Sequence, residues 1–330
     1  MITEDDWAKL EKIIKDNDTF IITTHINPDG DGLGSELGIF RLLERLGKDS
    51  VIINGSPTPD FYKFLDPKCE LIKYYDENYN QCIIDANIIF LVDISDMERL
   101  GKMENVIRSS PALKVCIDHH YSNIGLSDVN IIDDSASASG EIVYDLINRF
   151  GLEIDYEMAL DIYVAILTDT GSFRFSSTTP NSHYICAELL KKGIKPREIF
   201  GYVYESYSWE RMILFSKCLT TIKKVANGKA ISMHITREMM ESSRAKREDI
   251  EGFVEYIGTI KGVEIAGLFL ELPDNKVKVS LRSKDIYDVS KIASIFGGGG
   301  HKNAAGIVMK NCSLQKSEEE VLSEVEKLLI

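Results

Sequence analysis

The stretch TFIITTHINPDGDGLGS, residues 19–35, decides the fold. Six apolar or β-branched residues run without a break, the pattern of a strand buried on both faces. His25, Asn27, Pro28, Asp29, Gly30 and Asp31 follow, and a helical pattern then runs over residues 33–46. Strand, short polar loop and helix form the opening of a parallel β–α unit. The same grammar recurs at VIIN (51–54), NIIFLV (87–92), LKVCI (113–117) and VNII (129–132), with helical patterns at 140–150, 156–168 and 182–191. The expected fold class is α/β, with a doubly wound, mainly parallel sheet.

The pattern changes further along. Residues 192–222 read as helices broken at Lys195-Pro196, because proline suits a first helical turn. Beyond them, KKVANGKAISMHI places Asn227-Gly228 between two strand-like runs, a hairpin signal. VEIAGLFLEL and KVKVSLRS, separated by PDN, form a second hairpin. Helices are expected at VSKIASIF and over 317–329. The expected organisation is a first domain over 1–191, a helical connector over 192–222 and a smaller α+β domain over 223–330, with a cleft between the two domains.

Charge divides the chain in the same way. The net charge is −14. Residues 1–190 carry 33 acidic and 15 basic residues, whereas 191–330 carry 19 and 23. An acidic chain of this kind does not coat duplex DNA, which demands a basic face. Cys69, Cys82, Cys116, Cys186, Cys218 and Cys312 form no C-x-x-C pair, so neither a disulfide framework nor a zinc ribbon is expected. The N-terminus MITEDDWAKL lacks the basic and apolar regions of a signal peptide. No apolar run approaches the ~20 residues that span a bilayer. These features point to a cytoplasmic protein with no membrane partner.

Three expected strands end in histidine or an acid. His25 follows the first, Asp93 follows NIIFLV, and Asp118, His119 and His120 follow LKVCI. Strand ends of an open parallel sheet share one crevice. Asp169 closes the helical run ALDIYVAILT. Separately, each has a bland explanation: Asp93 as a helix cap, Asp169 as a turn residue. The glycines at 30, 32 and 34 do not spell a dinucleotide fingerprint. An EF-hand counted from Asp29 fails, with Leu33 at position five and Phe40 at position twelve. Together, four loci at one rim suit a pair of divalent cations. Mixed carboxylate and imidazole ligands favour Mn²⁺ or Fe²⁺ and accept Zn²⁺ or Co²⁺. Two such ions roughly 3.5–4 Å apart clamp a phosphoryl group for in-line attack.

HINPDGDGLGS, VDISDMERLG, IDHHYSN and ILTDTGSFRF resemble, in order, the four motifs of the DHH phosphoesterase superfamily. KVSLRS and FGGGGHKNAAG resemble the DHH-associated C-terminal domain. In length and organisation the chain is most similar to the NrnA-type bifunctional oligoribonucleases and pAp phosphatases, the nanoRNases. The resemblance implies one manganese on His25, Asp29 and Asp93, and a second on Asp31, Asp93, His119 and Asp169, with Asp93 bridging. It places His120 against the substrate phosphate and gives Asp118 an orienting role, so that Asp93, Asp118 and His120 form the catalytic group. Tyr121 departs from the proline that commonly follows this motif. The implied activity is hydrolysis of short RNA to 5′-mononucleotides and of pAp to AMP. Cyclic-di-AMP or its linear product pApA is the nearest alternative substrate. A pyrophosphatase of the second family shares only the first domain. A nucleotide- or RNA-binding module without catalysis is the alternative of another class.

The second domain is expected to choose the substrate. Gly297–Gly300 offers backbone N–H groups unobstructed by side chains. Gly298, Gly299, Gly300, His301 and Arg282 are therefore the expected phosphate contacts, Arg282 through its bidentate fork. Phe173, Arg174 and Phe175 read equally as a base-stacking platform and as packing. Arg99 reads as a structural ion pair. A second copy of the chain is a candidate partner.

Overall fold

A computed structural model describes residues 2–120, 127–284 and 286–329, without the side chain of His301. Two compact units result, Met1–Ser206 and Tyr207–Ile330. The division falls inside the segment read as a connector.

The first unit opens with helix α1 (Glu4–Asp16). Thr3 and Asp6 close a reciprocal capping box at its N-terminus, and Trp7, Leu10 and Ile14 bury one face. Six strands follow: β1 (Thr19–Thr23), β2 (Asp49–Asn54), β3 (Ile72–Tyr74), β4 (Ile88–Val92), β5 (Leu113–Asp118) and β6 (Val129–Ile132). All pair in parallel, in the order β3-β2-β1-β4-β5-β6. Both faces of this sheet are covered. Phe20, Ile22, Phe90, Val92, Val115 and Ile117 point into one core, where the Phe20 and Phe90 rings stack at 5.9 Å. Ile21, Ile89, Leu91 and Cys116 point into the other. That alternation explains why the strands read as unbroken apolar runs.

Helices α2 (Gly30–Arg45), α3 (Asn80–Asp85), α4 (Glu104–Ser109), α5 (Ser139–Arg149), α6 (Tyr156–Asp169), α7 (Pro180–Leu190) and α8 (Pro196–Tyr204) complete the unit. The glycines of α2 have a use that the motif alone does not reveal. They lie within the helix, not in a tight loop. A Cβ on Gly34 would sit 2.2 Å from the Asp161 carbonyl oxygen, and one on Gly30 would meet Thr168 at 2.5 Å. Bare backbone lets α6 press against α2, which draws Asp169 up to Asp31.

The second unit holds α9 (Trp209–Leu219), β7 (Lys223–Val225), β8 (Ala230–Ile235), α10 (Arg237–Ser243), α11 (Phe253–Gly258), β9 (Ile265–Leu272), β10 (Lys276–Ser283), α12 (Val289–Ile295), β11 (Gly299–His301), β12 (Ala304–Lys310) and α13 (Leu314–Leu329). Its strands form one mixed sheet in the order β11-β12-β10-β9-β8-β7, parallel only between β8 and β9. Asn227-Gly228 turns β7 into β8, and Asp274-Asn275 turns β9 into β10. All four residues take positive φ, as tight hairpins require.

The glycine tract differs from the expected open loop. The Gly297 and Gly298 amides donate to Ser294 and Ala293, closing α12, while Gly299 and Gly300 enter β11 opposite Gly306 and Ala305. The four amides are therefore not all free.

Candidate metal centre

Strands β1, β4 and β5 are consecutive neighbours, and their C-terminal ends lie level, with Thr23 beside Leu91 and Val92 beside Ile117. Residues nearly a hundred positions apart therefore meet. His25 lies two residues past β1, Asp93 directly past β4, Asp118 at the end of β5, and His119 and His120 just beyond it. Asp29 caps α2, its Oδ1 accepting from the Asp31 and Gly32 amides at 3.1 Å. The cap reading and the ligand reading are compatible, because Oδ2 stays 3.6 Å from His25 Nε2. Asp31 is fully buried and accepts the Ser139 and Gly140 amides at the start of α5, at 2.7 and 3.0 Å.

Asp93 occupies the centre. Its Oδ2 lies 3.5 Å from His25 Nε2, whereas its Oδ1 faces His119 Nε2 at 3.8 Å and His120 Nδ1 at 3.4 Å. His119 Nε2 is 3.7 Å from Asp31 and 3.4 Å from Asp169. His25, Asp29 and Asp93 thus form one group of converging donor atoms, and Asp31, His119 and Asp169 another. The backbone of Asp93 is left-handed, with φ 54°. Aspartate tolerates that region better than most residues, at a cost of order 1 kcal/mol.

The donors fit divalent cations. Nδ1 of His25 lies 2.9 Å from the Ile26 carbonyl, and Nδ1 of His119 lies 3.3 Å from that of Ala136. With each Nδ1–H donating there, Nε2 is the atom that binds a cation once it has lost its proton. Both Nε2 atoms and Asp93 Oδ1 are buried without hydrogen-bond partners. Two bonds of about 2.1 Å meeting at a tetrahedral ion hold their ligand atoms about 3.4 Å apart. The observed separations match that spacing.

Electrostatics point the same way. Burial pushes Asp169 up to about 8, helped by the charges of Asp93 and Asp29. Burial and the Asp93 and Asp169 charges likewise raise Asp31. For His25, burial acts downward, but the carboxylates of Asp29 and Asp93, 3.6 and 3.5 Å from its Nε2, lift it to about 10. Among the described residues no lysine or arginine forms an ion pair with Asp31, Asp93 or Asp169. Carboxylates crowded in this way call for cations.

Asp118 belongs to a third group of converging donors, with Asp93, His119 and His120. Its Oδ1 accepts from the His119 and His120 amides and, at 2.8 Å, from His120 Nδ1. Donation of that hydrogen bond to Asp118, against burial, raises His120 and favours imidazolium. Tyr121 lies outside the described residues.

Arg99 departs from expectation. It forms no ion pair among the described residues. Its guanidinium reaches Ser95 at 3.4 Å and its charge bears on Asp29. Its backbone is held by the Asp96 carbonyl, which accepts from the Arg99 amide, and by the Ile26 amide, which donates to the Arg99 carbonyl. Phe173 and Phe175 also part company. Phe173 stacks on His183 at 4.9 Å within the unit, while Phe175 is exposed and lies over Gly171. In the second unit, Arg282 Nε holds Glu255 at 2.7 Å and Nη1 holds the Leu281 carbonyl, so only Nη2 is uncommitted.

Comparisons agree with this architecture. Residues 19–167 match the DHH family N-terminal domain and residues 227–330 match the DHHA1 domain. A Thermus thermophilus protein named bifunctional oligoribonuclease and PAP phosphatase NrnA is 32% identical over 93% of this chain and 89% of its own. A Bacillus subtilis protein of the same name is 27% identical over 91% and 92%. The crystal structure of an exopolyphosphatase-related protein from Bacteroides fragilis superposes with TM-score 0.93 at 30% identity, covering 100% of this chain and 98% of that one.

Proposed function

The chain belongs to the DHH family, and from that premise we propose a manganese-dependent phosphoesterase that releases 5′-mononucleotides from short oligoribonucleotides and removes the 3′-phosphate of pAp. The carrying observation is the position of Asp93, whose two oxygens face separate donor groups. Two Mn²⁺ ions, when bound, neutralise phosphoryl oxygens and activate water. His25, Asp29 and Asp93 would hold one, and Asp31, Asp93, His119 and Asp169 the other. His120, kept cationic by Asp118, donates from Nε2 to a phosphate oxygen as negative charge builds. Arg99 adds a second cation beside Asp29. The six cysteines are all free, which suits a reducing cytoplasm. The names of the relatives support the two substrates.

The test is a rate comparison. The purified protein is incubated with Mn²⁺, Mg²⁺ or Zn²⁺ and with pAp, pApA, pGpG, RNA of two to five residues, cyclic-di-AMP and linear polyphosphate. Short RNA and pAp are expected to turn over fastest with Mn²⁺. Preference for cyclic-di-AMP transfers the assignment to the alternative, and no hydrolysis of any substrate refutes catalysis.

In the second unit, Arg282, Gly298, Gly299, Gly300 and His301 are proposed to grip phosphate. The side chain of His301 lies outside the described residues. The glycines differ in what they demand. A Cβ on Gly298 would lie 2.2 Å from the Gly306 carbonyl oxygen, and one on Gly300 would lie 2.4 Å from that of Ala304. A Cβ on Gly299 meets nothing within 4 Å. A side chain at Gly299 therefore meets no obstacle within the unit. Gly299→Ala is expected to leave the melting temperature nearly unchanged and raise KM about tenfold. Gly298→Ala is expected to cost about 1–3 kcal/mol of stability, read by thermal unfolding. Equal KM in Gly299→Ala and the parent would remove the tract from the binding site.

A further inference from the structure

Helix α5 begins without a cap of its own. Its N-cap position is Ala138, whose side chain offers no acceptor. The first two amides of the helix, those of Ser139 and Gly140, go instead to Oδ2 and Oδ1 of Asp31 at 2.7 and 3.0 Å. Just before the helix, the Ala136 carbonyl lies 3.3 Å from Nδ1 of His119. One short turn, residues 136–140, thus meets two of the three donors in the group of Asp31, His119 and Asp169. It meets them through backbone alone. The Ser137 hydroxyl is engaged elsewhere, and the buried Ser139 hydroxyl has no partner. The aim of Asp31 and His119 therefore depends on the path of this backbone.

Glu141 holds that path. It stands at the third position of α5, from which a glutamate in a capping box reaches back to the N-cap amide. Here it reaches one residue further, to Ser137. Its Oε1 accepts the Ser137 hydroxyl and lies 3.4 Å from the Ser137 amide nitrogen. Ser182 Oγ, in the first turn of α7, is 2.8 Å from the same oxygen. Oε2 accepts from Asn181 Nδ2 at 2.8 Å. Ser137, Glu141 and Ser182 are all buried. Both oxygens of this interior carboxyl group are engaged, as its burial requires.

We propose that Glu141 is a positioning residue for the metal centre: through the Ser137 hydroxyl it fixes the turn over 136–140, and with it the aim of Asp31 and His119. The inference rests on the metal reading of the centre and deepens it by naming what holds one half. The other half hangs on different backbone. Nδ1 of His25 meets the Ile26 carbonyl, and Asp29 accepts from the start of α2. Loosening the turn therefore weakens one ion and spares the other. Groups that orient metal-binding histidines and carboxylates are typically worth about 10–100-fold in affinity.

The test titrates the full chain with Mn²⁺ and counts the free ion by its paramagnetic resonance signal, with thermal unfolding in EDTA measured alongside. Ser137→Ala removes one hydroxyl, and Glu141→Ala removes the carboxyl group. Each is expected to weaken one of two bound ions about 10–100-fold and to leave the other within about threefold. Glu141→Gln keeps an oxygen for the Ser137 hydroxyl and should restore both affinities. Asn181→Ala takes a partner from Oε2 without touching the turn, so it should lower the melting temperature and leave both ions bound. Where Glu141→Ala does not fold, Ser137→Ala decides. Unchanged Mn²⁺ affinities in folded Ser137→Ala overturn the proposal. An equal loss in Asn181→Ala also overturns it, because Glu141 would then brace the whole unit. A parent that binds fewer than two ions overturns the two-metal reading and the proposal with it.

Discussion

Asp93→Asn is expected to reduce manganese-dependent turnover by at least about a thousandfold, some 4 kcal/mol of transition-state stabilisation, while the fold persists. The choice of asparagine matters. Residue 93 is left-handed, and asparagine tolerates that conformation whereas alanine resists it. The substitution also keeps the side-chain shape between His25 and the His119–His120 pair. It removes the one charge shared by both donor groups. A carboxylate joins two cations through two equivalent oxygens, and an amide offers one oxygen and an NH₂ that repels a cation. Metal titration should show weakened binding, and thermal unfolding without metal should be no worse than in the parent, because one member of a repelling set is gone. Activity within tenfold of the parent would remove Asp93 from its bridging position.

The sequence made this centre legible because hydrophobic patterning and chemistry coincide there. A parallel strand buried on both faces must be apolar throughout, so the first polar residue after TFIITT, NIIFLV or LKVCI marks the crevice. What escaped has physical reasons. Strand β3 has only three residues, and LIKYY carries no alternation long enough to detect. Helix α1 carries a signal of its own in Thr3 with Asp6 followed by Trp7, Leu10 and Ile14. Strand β11 is drawn out by its partner β12. A run of glycines has no strand propensity of its own, so only the register opposite Gly306 and Ala305 reveals it. Arg99 is tied through its carbonyl to the amide of Ile26, a partner far away in the sequence that local pattern does not reveal. The glycines of the first motif read as loop formers because their neighbour α6 is more than a hundred residues away.

The second large effect concerns metal removal, and its dependence on pH is informative. In the metal-free protein Asp169 is raised from 3.8 to about 8, and His25 from 6.5 to about 10. Burial leads for Asp169, while the carboxylates of Asp29 and Asp93 prevail over burial for His25. Both values lie above those of the unfolded chain, so the folded state holds extra protons. Their contribution to stability is present at low pH. It is lost as pH rises through about 4 to 8 for Asp169 and about 6.5 to 10 for His25. A bound cation replaces those protons, so it binds more tightly as they leave. The melting temperature in EDTA is therefore expected to fall by several degrees between pH 6 and pH 8, whereas the Mn²⁺-saturated protein should change much less. Alkaline weakening elsewhere in the chain affects both samples alike, so the widening gap reports on the centre itself. Scanning calorimetry at fixed ionic strength measures it. A gap of equal size at both pH values would mean that manganese does not displace protons at His25 and Asp169.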